Sequence, residues 1–137
     1  MKNTIIDSGP LIALFDKDDK YHLKLLDFMK SFNGELITTW SVVTEVTHML
    51  SFNISVQLNF LKWIELGAIT IYQIEQSELT NIIKMIQKYS DIPMDLADST
   101  LMYVAQKENI KNIISIDSDF DIYRTIKKQS LNNLLRF

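Results

Sequence analysis

Four acidic side chains occupy positions at which a folded protein normally places apolar residues. They are Asp7, Glu45, Asp98 and Asp117. Two of them directly follow short apolar runs that are typical of buried strands, and the other two fall inside the apolar stripes of helical segments. Removing a charge from water is costly unless the charge gains a partner, and the four surrounding motifs contain no Lys or Arg. If these carboxylates meet in space, a metal cation is their natural partner, and the chain is then a candidate metal-dependent enzyme.

Asp98 lies in the middle of a predicted buried helix face. The helix is expected to run from Pro93, a residue suited to a first helical turn, to about Glu108. The apolar residues that share its face at helical spacing are Met94, Leu101 and Ala105. Asp95 lies on an adjacent part of this face in the first turn, where an acid gains about 0.3–1 kcal/mol from the helix dipole. Asp98 is therefore a candidate ligand or a buried acid that caps another element, and Asp95 is an accessory ligand or a helix-dipole residue.

Glu45 repeats this pattern in a second helix, predicted over Ser41–Leu50. Val42 and Met49 share a face with it, which places the carboxylate among residues expected in the core. The alternative role for Glu45 is that of a first-turn acid behind the cap of this helix.

Asp7 and Asp117 each follow a predicted strand, which is where open α/β sheets place ligand groups. An isolated Asp in this position is also a common turn former. Ser8 either orients Asp7 or contacts a bound ion, or it is an ordinary turn hydroxyl. Asp119 either caps a short helix that follows it or lies at the edge of the site, whereas Asp121 is expected to be solvated.

The ligand types favour a hard divalent cation. The chain has no cysteine and two histidines, His22 and His48, both of which are expected to be structural. All-oxygen ligands indicate Mg²⁺ or Mn²⁺. Carboxylates that hold such ions support phosphodiester hydrolysis, because the ion lowers the pKa of a bound water and neutralises charge on the phosphoryl oxygens. This chemistry needs no nucleophilic side chain.

Composition limits the class of protein. A chain of 137 residues with 47% hydrophobic residues fits a single domain over positions 1–137 with a substantial core. It contains no apolar stretch of about 18 residues that could span a membrane and no signal-peptide pattern at its start, so we expect a cytoplasmic protein without membrane contact. The net charge of −3 is not typical of nucleic-acid-binding domains, which are usually strongly basic. Two small basic groups, at positions 17–24 and 124–128, are either solvated surface or flank a phosphate-bearing substrate.

Short apolar runs alternate with longer helical patterns, which is typical of an α/β domain with a mostly parallel sheet. The predicted strands are Asn3–Ile6, Glu35–Thr38, Ala68–Ile74 and Asn112–Ile116. The tail Ser130–Phe137 is either a further edge strand or a loose end. Besides the two helices above, the predicted helices are Leu11–Phe15, Tyr21–Phe32, Ser55–Leu66 and an apolar stripe over Leu79–Tyr89.

Together the acidic motifs resemble those of the PIN-domain family over essentially the whole chain. The motifs are Ile6-Asp7-Ser8-Gly9-Pro10-Leu11, Val43-Thr44-Glu45-Val46, Asp95-Leu96-Ala97-Asp98 and Ser115-Ile116-Asp117-Ser118-Asp119-Phe120. The resemblance implies a three-layer α/β/α fold with a central, mostly parallel sheet of four to five strands. It also implies a metal-dependent ribonuclease that acts on single-stranded RNA. It carries over Asp7, Glu45, Asp98 and Asp117 as the acidic site, with Asp119 as a frequent accessory.

A lone domain of this size is most similar to the VapC-type toxins within that family. This similarity implies a small antitoxin partner and often a homodimer. The aromatic residues around Phe60 and Trp63 either form a dimer face or belong to ordinary core packing. Where the family often has Thr, this chain has Ser115, which keeps the hydroxyl. The alternatives are an orphan PIN nuclease without antitoxin and a non-catalytic PIN scaffold that binds RNA or protein. A phosphatase of the haloacid-dehalogenase type would need an acid where Gly9 stands.

Overall fold

The computed structural model describes residues 3–92, 94–125 and 128–135. Within these ranges the strands form one five-stranded parallel sheet with the order β3-β2-β1-β4-β5. The strands are β1 (Asn3–Ile6), β2 (Glu35–Thr38), β3 (Ile69–Ile71), β4 (Asn112–Ile114) and β5 (Asn132–Asn133). Helices flank the sheet, which confirms the predicted α/β architecture. The tail supplies the short edge strand β5, and Arg136 and Phe137 lie outside the described residues.

Six α-helices connect and cover the strands in the described part of the chain. They are α1 (Ser8–Phe15), α2 (His22–Ser31), α3 (Trp40–Met49), α4 (Ile54–Glu65), α5 (Leu79–Lys88) and α6 (Leu96–Lys107). Two 3₁₀ turns, Gln76–Glu78 and Ser118–Asp121, precede α5 and follow β4. None of the described helices is long and apolar enough to cross a lipid bilayer.

The central strands are apolar because both faces of the sheet are covered. Ile5 of β1 pairs with Ile37 of β2 on one side and with Ile113 of β4 on the other. Ile5 and Ile113 are almost completely buried, as expected for a parallel sheet between two helical layers. Helix α6 lies deepest, since every residue from Ala97 to Ala105 is buried.

Several element boundaries differ from the sequence prediction. The third and fourth strands are shorter than the apolar runs that predicted them, because ladder pairing ends at Ile71 and Ile114. Pro93 lies outside the described residues, and α6 begins later than predicted, at Leu96. Asp95 adopts an extended backbone and caps the helix with its side chain, which is why the helix cannot include it.

Core packing, one of the two expected roles of Phe60 and Trp63, is the role that the structure shows. Phe60 is completely buried and packs edge-on against Phe15, and Trp63 is partly buried beside the same ring. The expectation that Met49 lies in the core is wrong. Met49 is 54% exposed and does not share a buried face with Glu45. The buried face of α3 consists of Val42, Val43 and Val46.

All five strands run in the same direction, so their carboxyl ends lie along one edge of the sheet. Asp7 follows β1 at this edge, and Thr39 follows β2 as the cap residue of α3. Helix α6 presents its first turn near the same edge, because Asp98 and Asp7 lie close together. In open α/β sheets this edge is the usual location of a ligand crevice.

Candidate metal centre

Three of the predicted acids meet at the carboxyl edge of the sheet. Asp7, Asp98 and Asp117 each offer a carboxylate oxygen, and these oxygens lie within 4.8 Å of one another. Asp7 and Asp98 are buried, whereas Asp117 is exposed to solvent. The arrangement joins residues from the end of β1, the first turn of α6 and the loop after β4. The three oxygens are spaced closely enough to hold one metal ion.

The Asp7 carboxylate is held at the junction of β1 and α1. Its backbone N–H donates to the carbonyl of Ile114 at 3.1 Å, which continues the β1–β4 pairing beyond the strand. Its Oδ2 accepts a hydrogen bond from Ser115 Oγ at 3.2 Å. Its Oδ1 is buried and has no hydrogen-bond partner among the described residues. Burial raises the pKa of Asp7 to about 7, and the negative charges of Glu45 and Asp117 add to this effect.

Asp98 is fixed by two contacts in the first turn of α6. Its backbone N–H donates to Asp95 Oδ1 at 2.8 Å, which is the helix cap. Its Oδ2 accepts a hydrogen bond from the hydroxyl of Tyr123 at 3.3 Å. Burial raises the pKa of Asp98 to about 8, and the carboxylates of Asp7, Asp95 and Asp117 raise it further. Burial and the neighbouring acids also raise the pKa of the Tyr123 phenol, so the hydroxyl remains a hydrogen-bond donor at neutral pH.

Asp117 is positioned by the same serine that contacts Asp7. Its backbone N–H donates to Ser115 Oγ at 3.0 Å, and its Oδ1 accepts from the N–H of Asp119 at 2.9 Å. One hydroxyl therefore fixes both the Asp7 side chain and the Asp117 backbone. These contacts explain why a buried serine stands within the otherwise apolar run Ile113-Ile114-Ser115-Ile116.

Glu45 lies next to the group of three but is not part of it. It is half-buried, and its Oε1 accepts a hydrogen bond from Ser8 Oγ at 2.5 Å. Its charge acts on Asp7. Among the described residues, the carboxylate oxygens that lie within 4.8 Å of one another do not include those of Glu45. They also do not include those of the accessory candidates Asp95 and Asp119. Asp95 is exposed and caps α6 with its side chain, so its structural role is that of the cap residue rather than of an acid inside the first turn.

Tyr123 is a site residue that the acidic motifs do not predict, and Ser8 has a role that they leave open. The Ser8 hydroxyl donates to Glu45 rather than to Asp7, whereas the backbone N–H of Ser8 acts on Asp7 and lowers its pKa. Tyr123 is completely buried and follows the 3₁₀ turn, with Phe120 and Tyr89 packed edge-on against its ring. No spacing signal links it to Asp98, because the contact depends on how this turn folds back over α6.

A groove borders the acids on the side of α3. It has a volume of about 560 Å³ and is lined by Ser41, Thr44, Glu45, His48, Asp95, Leu96 and Ala97. The groove lies between α3 and the start of α6 and gives solvent access to Glu45. His48, expected from the sequence to be structural, is exposed on the wall of this groove.

Comparison with known proteins reveals one curated relative and several similar structures, although no family model matches the chain. The sequence is 24% identical over 115 residues to Ribonuclease VapC26 from Mycobacterium tuberculosis, which covers 82% of this chain and 85% of the relative. The fold is similar to that of VapC20 from M. tuberculosis, described as a sarcin-ricin loop cleaving toxin. The TM-score is 0.78 at 16% identity, covering 87% of this chain and 93% of VapC20.

A second structural match is a chain from the Rickettsia felis VapBC2 complex, which was solved bound to a promoter DNA fragment. Here the TM-score is 0.66 at 13% identity, and the match covers 96% of this chain and 98% of the other. These likenesses confirm the fold and the resemblance that the four acidic motifs predict.

Proposed function

We propose that this chain, which resembles the VapC-type PIN domains in fold and in sequence, is a metal-dependent endoribonuclease that cleaves single-stranded RNA. The observation that carries this proposal is the meeting of Asp7, Asp98 and Asp117 within 4.8 Å at the carboxyl edge of the sheet. A ribonuclease relative of similar length supports the choice of RNA as substrate.

The chemistry of the three side chains fits a divalent cation. Asp7 Oδ1 is buried without a hydrogen-bond partner among the described residues, and such an atom is costly unless a cation or donor meets it. The charged groups that shift the pKa of Asp7 and Asp98 are all carboxylates, so no described cation neutralises the pair. Hard oxygen ligands favour Mg²⁺ or Mn²⁺ over softer metals.

Each residue has a distinct part in this proposal. Asp7, Asp98 and Asp117 are the ligands, and Glu45 is a fourth acid that adds negative charge beside Asp7. When bound, a divalent cation supplies a water of lowered pKa and neutralises charge on the phosphoryl and leaving oxygens. Ser115 and Tyr123 hold the Asp7 and Asp98 carboxylates in place, as partners of metal ligands commonly do. Asp119 and Asp95 are retained as possible accessory acids at the edge of the site.

We further propose that the nuclease is the toxin of a toxin–antitoxin pair. Both structural matches are VapC or VapBC proteins, and one of them is described as a toxin. A small antitoxin protein is the expected partner, a homodimer is the expected assembly, and the cytoplasm is the expected compartment because RNA is the substrate. An orphan nuclease without antitoxin is the alternative. A non-catalytic scaffold is disfavoured, because carboxylates that repel one another stabilise nothing in the absence of a metal.

The decisive experiment compares two aspartate variants. In Asp98→Asn we expect Mn²⁺-dependent cleavage of single-stranded RNA to fall by at least about 100-fold, because one ligand charge is lost beside the other two. Asp121→Asn is the matched control, since Asp121 is exposed and outside the acidic group in the described structure. Cleavage is measured with a labelled oligonucleotide, and folding is checked by circular dichroism.

The proposal fails if purified wild-type protein does not cleave RNA with Mg²⁺ or Mn²⁺, or if Asp98→Asn cleaves as fast as Asp121→Asn. The toxin assignment is tested with the same variants. Induced expression of wild type and Asp121→Asn in bacteria should arrest growth, and Asp98→Asn should not. Normal growth with an active wild-type enzyme would favour the orphan nuclease.

A further inference from the structure

The carboxyl edge of the sheet has a second half that the acids do not occupy. Asp7 and Asp117 follow β1 and β4, whereas the residues that follow β2 and β3 include the aromatic side chains of Trp40 and Tyr72 beside a few polar ones. They form a groove of about 220 Å³, to which Trp40, Tyr72, Leu79, Ile82 and Leu96 contribute. We call this the β2–β3 groove. It lies beside the acids along the same edge, because β1 and β2 are hydrogen-bonded neighbours about 5 Å apart.

Trp40 is the most conspicuous side chain of the β2–β3 groove. It is the first residue of α3 and is 55% exposed, although tryptophan is highly buried on average in folded proteins. Its backbone is held close to the acidic helix, because Thr39 Oγ1 and Thr100 Oγ1 form a buried hydrogen bond of 2.8 Å. Thr100 lies two residues after Asp98. The indole is therefore an exposed ring whose backbone is held against α6, the helix that carries Asp98.

The β2–β3 groove adjoins the groove that contains Glu45. Ser41 and Leu96 line both of them. The second groove also contains Ala97, the neighbour of Asp98 in the chain. A chain molecule that extends from the carboxylates along the two adjoining grooves would meet Trp40.

We propose that Trp40 is a stacking platform for a nucleobase of single-stranded RNA, adjacent to the phosphate that is cleaved. This inference rests on the proposed ribonuclease function. Single-stranded nucleic acid is commonly held by aromatic rings on which its bases stack, and this stacking tolerates any base because each has a π-face. The groove also offers polar groups to a base edge, from Ser41 and Gln73. Trp40 is thus a positioning residue that fixes which phosphodiester bond lies at the acids.

The first experiment compares RNA cleavage by variants in which the indole of Trp40 is replaced. Trp40→Ala should raise the KM for a single-stranded RNA by about 5- to 150-fold, the factor that corresponds to about 1–3 kcal/mol of stacking per base. Trp40→Phe should recover most of this loss, because it retains a ring. The matched control is Phe52→Ala, since Phe52 is 60% exposed but lies beyond the opposite end of α3.

The second experiment uses the indole as its own reporter. The chain has two tryptophans, and Trp63 is partly buried against Phe15. In the non-cleaving variant Asp98→Asn/Trp63→Phe, an octanucleotide RNA should quench the fluorescence of Trp40. An octamer with an abasic site at each position in turn should lose the quenching at one or two adjacent positions. The same positions should define the cleavage site of the wild-type enzyme.

The outcomes separate this inference from the function on which it rests. If the wild-type protein does not cleave RNA, the proposed function fails. If it cleaves but Trp40→Ala matches Phe52→Ala in KM, or base removal never changes the quenching, the stacking platform is refuted while the nuclease stands. If Trp40→Ala instead converts a dimer to a monomer in sedimentation, the indole is a contact between two copies of the chain and the inference is also overturned.

Discussion

Asp7→Asn should make the metal-free protein more stable at alkaline pH. Asp7 is almost completely buried, and no described donor meets its Oδ1. Asparagine has nearly the same shape, carries no charge and can still accept the hydrogen bond from Ser115. The substitution therefore removes the cost of burying a charge at little cost in packing.

The size of the effect follows from the pKa of Asp7, which burial raises from 3.8 to about 7. An acid whose folded pKa is raised holds its proton more tightly in the native state than in the unfolded state. The free energy of unfolding is therefore highest below pH 3.8. It falls as the pH rises towards 7 and stays low above pH 7. At about 1.4 kcal/mol per pKa unit, Asp7 lowers the stability at pH 8 by about 4 kcal/mol relative to pH 4.

The assay is urea unfolding in EDTA at pH 5, 6, 7 and 8, with the wild type and Asp7→Asn in parallel. Other titrating groups act on both proteins, so the difference between the two curves isolates the contribution of Asp7 and of the acids coupled to it. We expect the variant to gain on the wild type as the pH rises. Excess Mn²⁺ at pH 8 should then stabilise the wild type, by about 2.7 kcal/mol at 100 times Kd, and leave the variant almost unchanged.

Equal unfolding free energies for the two proteins at pH 5 and pH 8 in EDTA would refute the reasoning, because the carboxylate would then not be buried as a costly charge. If Mn²⁺ stabilises Asp7→Asn as much as it stabilises the wild type, Asp7 is not a metal ligand.

The remaining predictions concern the residues around the three ligands. Ser115→Ala should raise the Mn²⁺ concentration needed for half-maximal cleavage by about 10- to 100-fold, because one hydroxyl fixes both Asp7 and Asp117, whereas Ser115→Thr should retain tight binding. Titrating cleavage against Mn²⁺ checks this, and an unchanged midpoint in Ser115→Ala would count against a role for the hydroxyl. Glu45→Gln should retain Mn²⁺-dependent thermal stabilisation, since Glu45 lies outside the group of three; a complete loss would place it among the ligands.

The position of Asp98 could be predicted from sequence because helical periodicity fixes a residue's face. The stripe with Leu101 and Ala105 is buried as expected, and Asp98 lies in it. The strand ends were equally informative, since parallel strands bring Asp7 and Asp117 to one edge wherever the intervening helices lie. The parallel sheet and its flanking helices could be predicted because short apolar runs alternate with longer helical patterns along the chain.

Other features could not be predicted because they depend on contacts between distant elements. Phe60 and Leu58 are similar apolar residues of one helix, yet the first is completely buried and the second 57% exposed. Which of them faces the core depends on how α4 packs against the rest of the protein. Because α4 carries apolar residues on both of its faces, the sequence does not indicate which face is buried. The Tyr123 contact with Asp98 likewise depends on a 3₁₀ turn whose path no periodic pattern records.

The acidic site is assembled from residues that lie far apart in the sequence. Asp7 follows the first strand, and Asp117 comes 110 positions later, after the fourth. During synthesis from the amino terminus, the nascent chain therefore lacks a complete site until Asp117 has been added. Under the proposed ribonuclease function this order of assembly is protective, since the growing polypeptide cannot attack the RNA of the ribosome until the late acid has joined the early one.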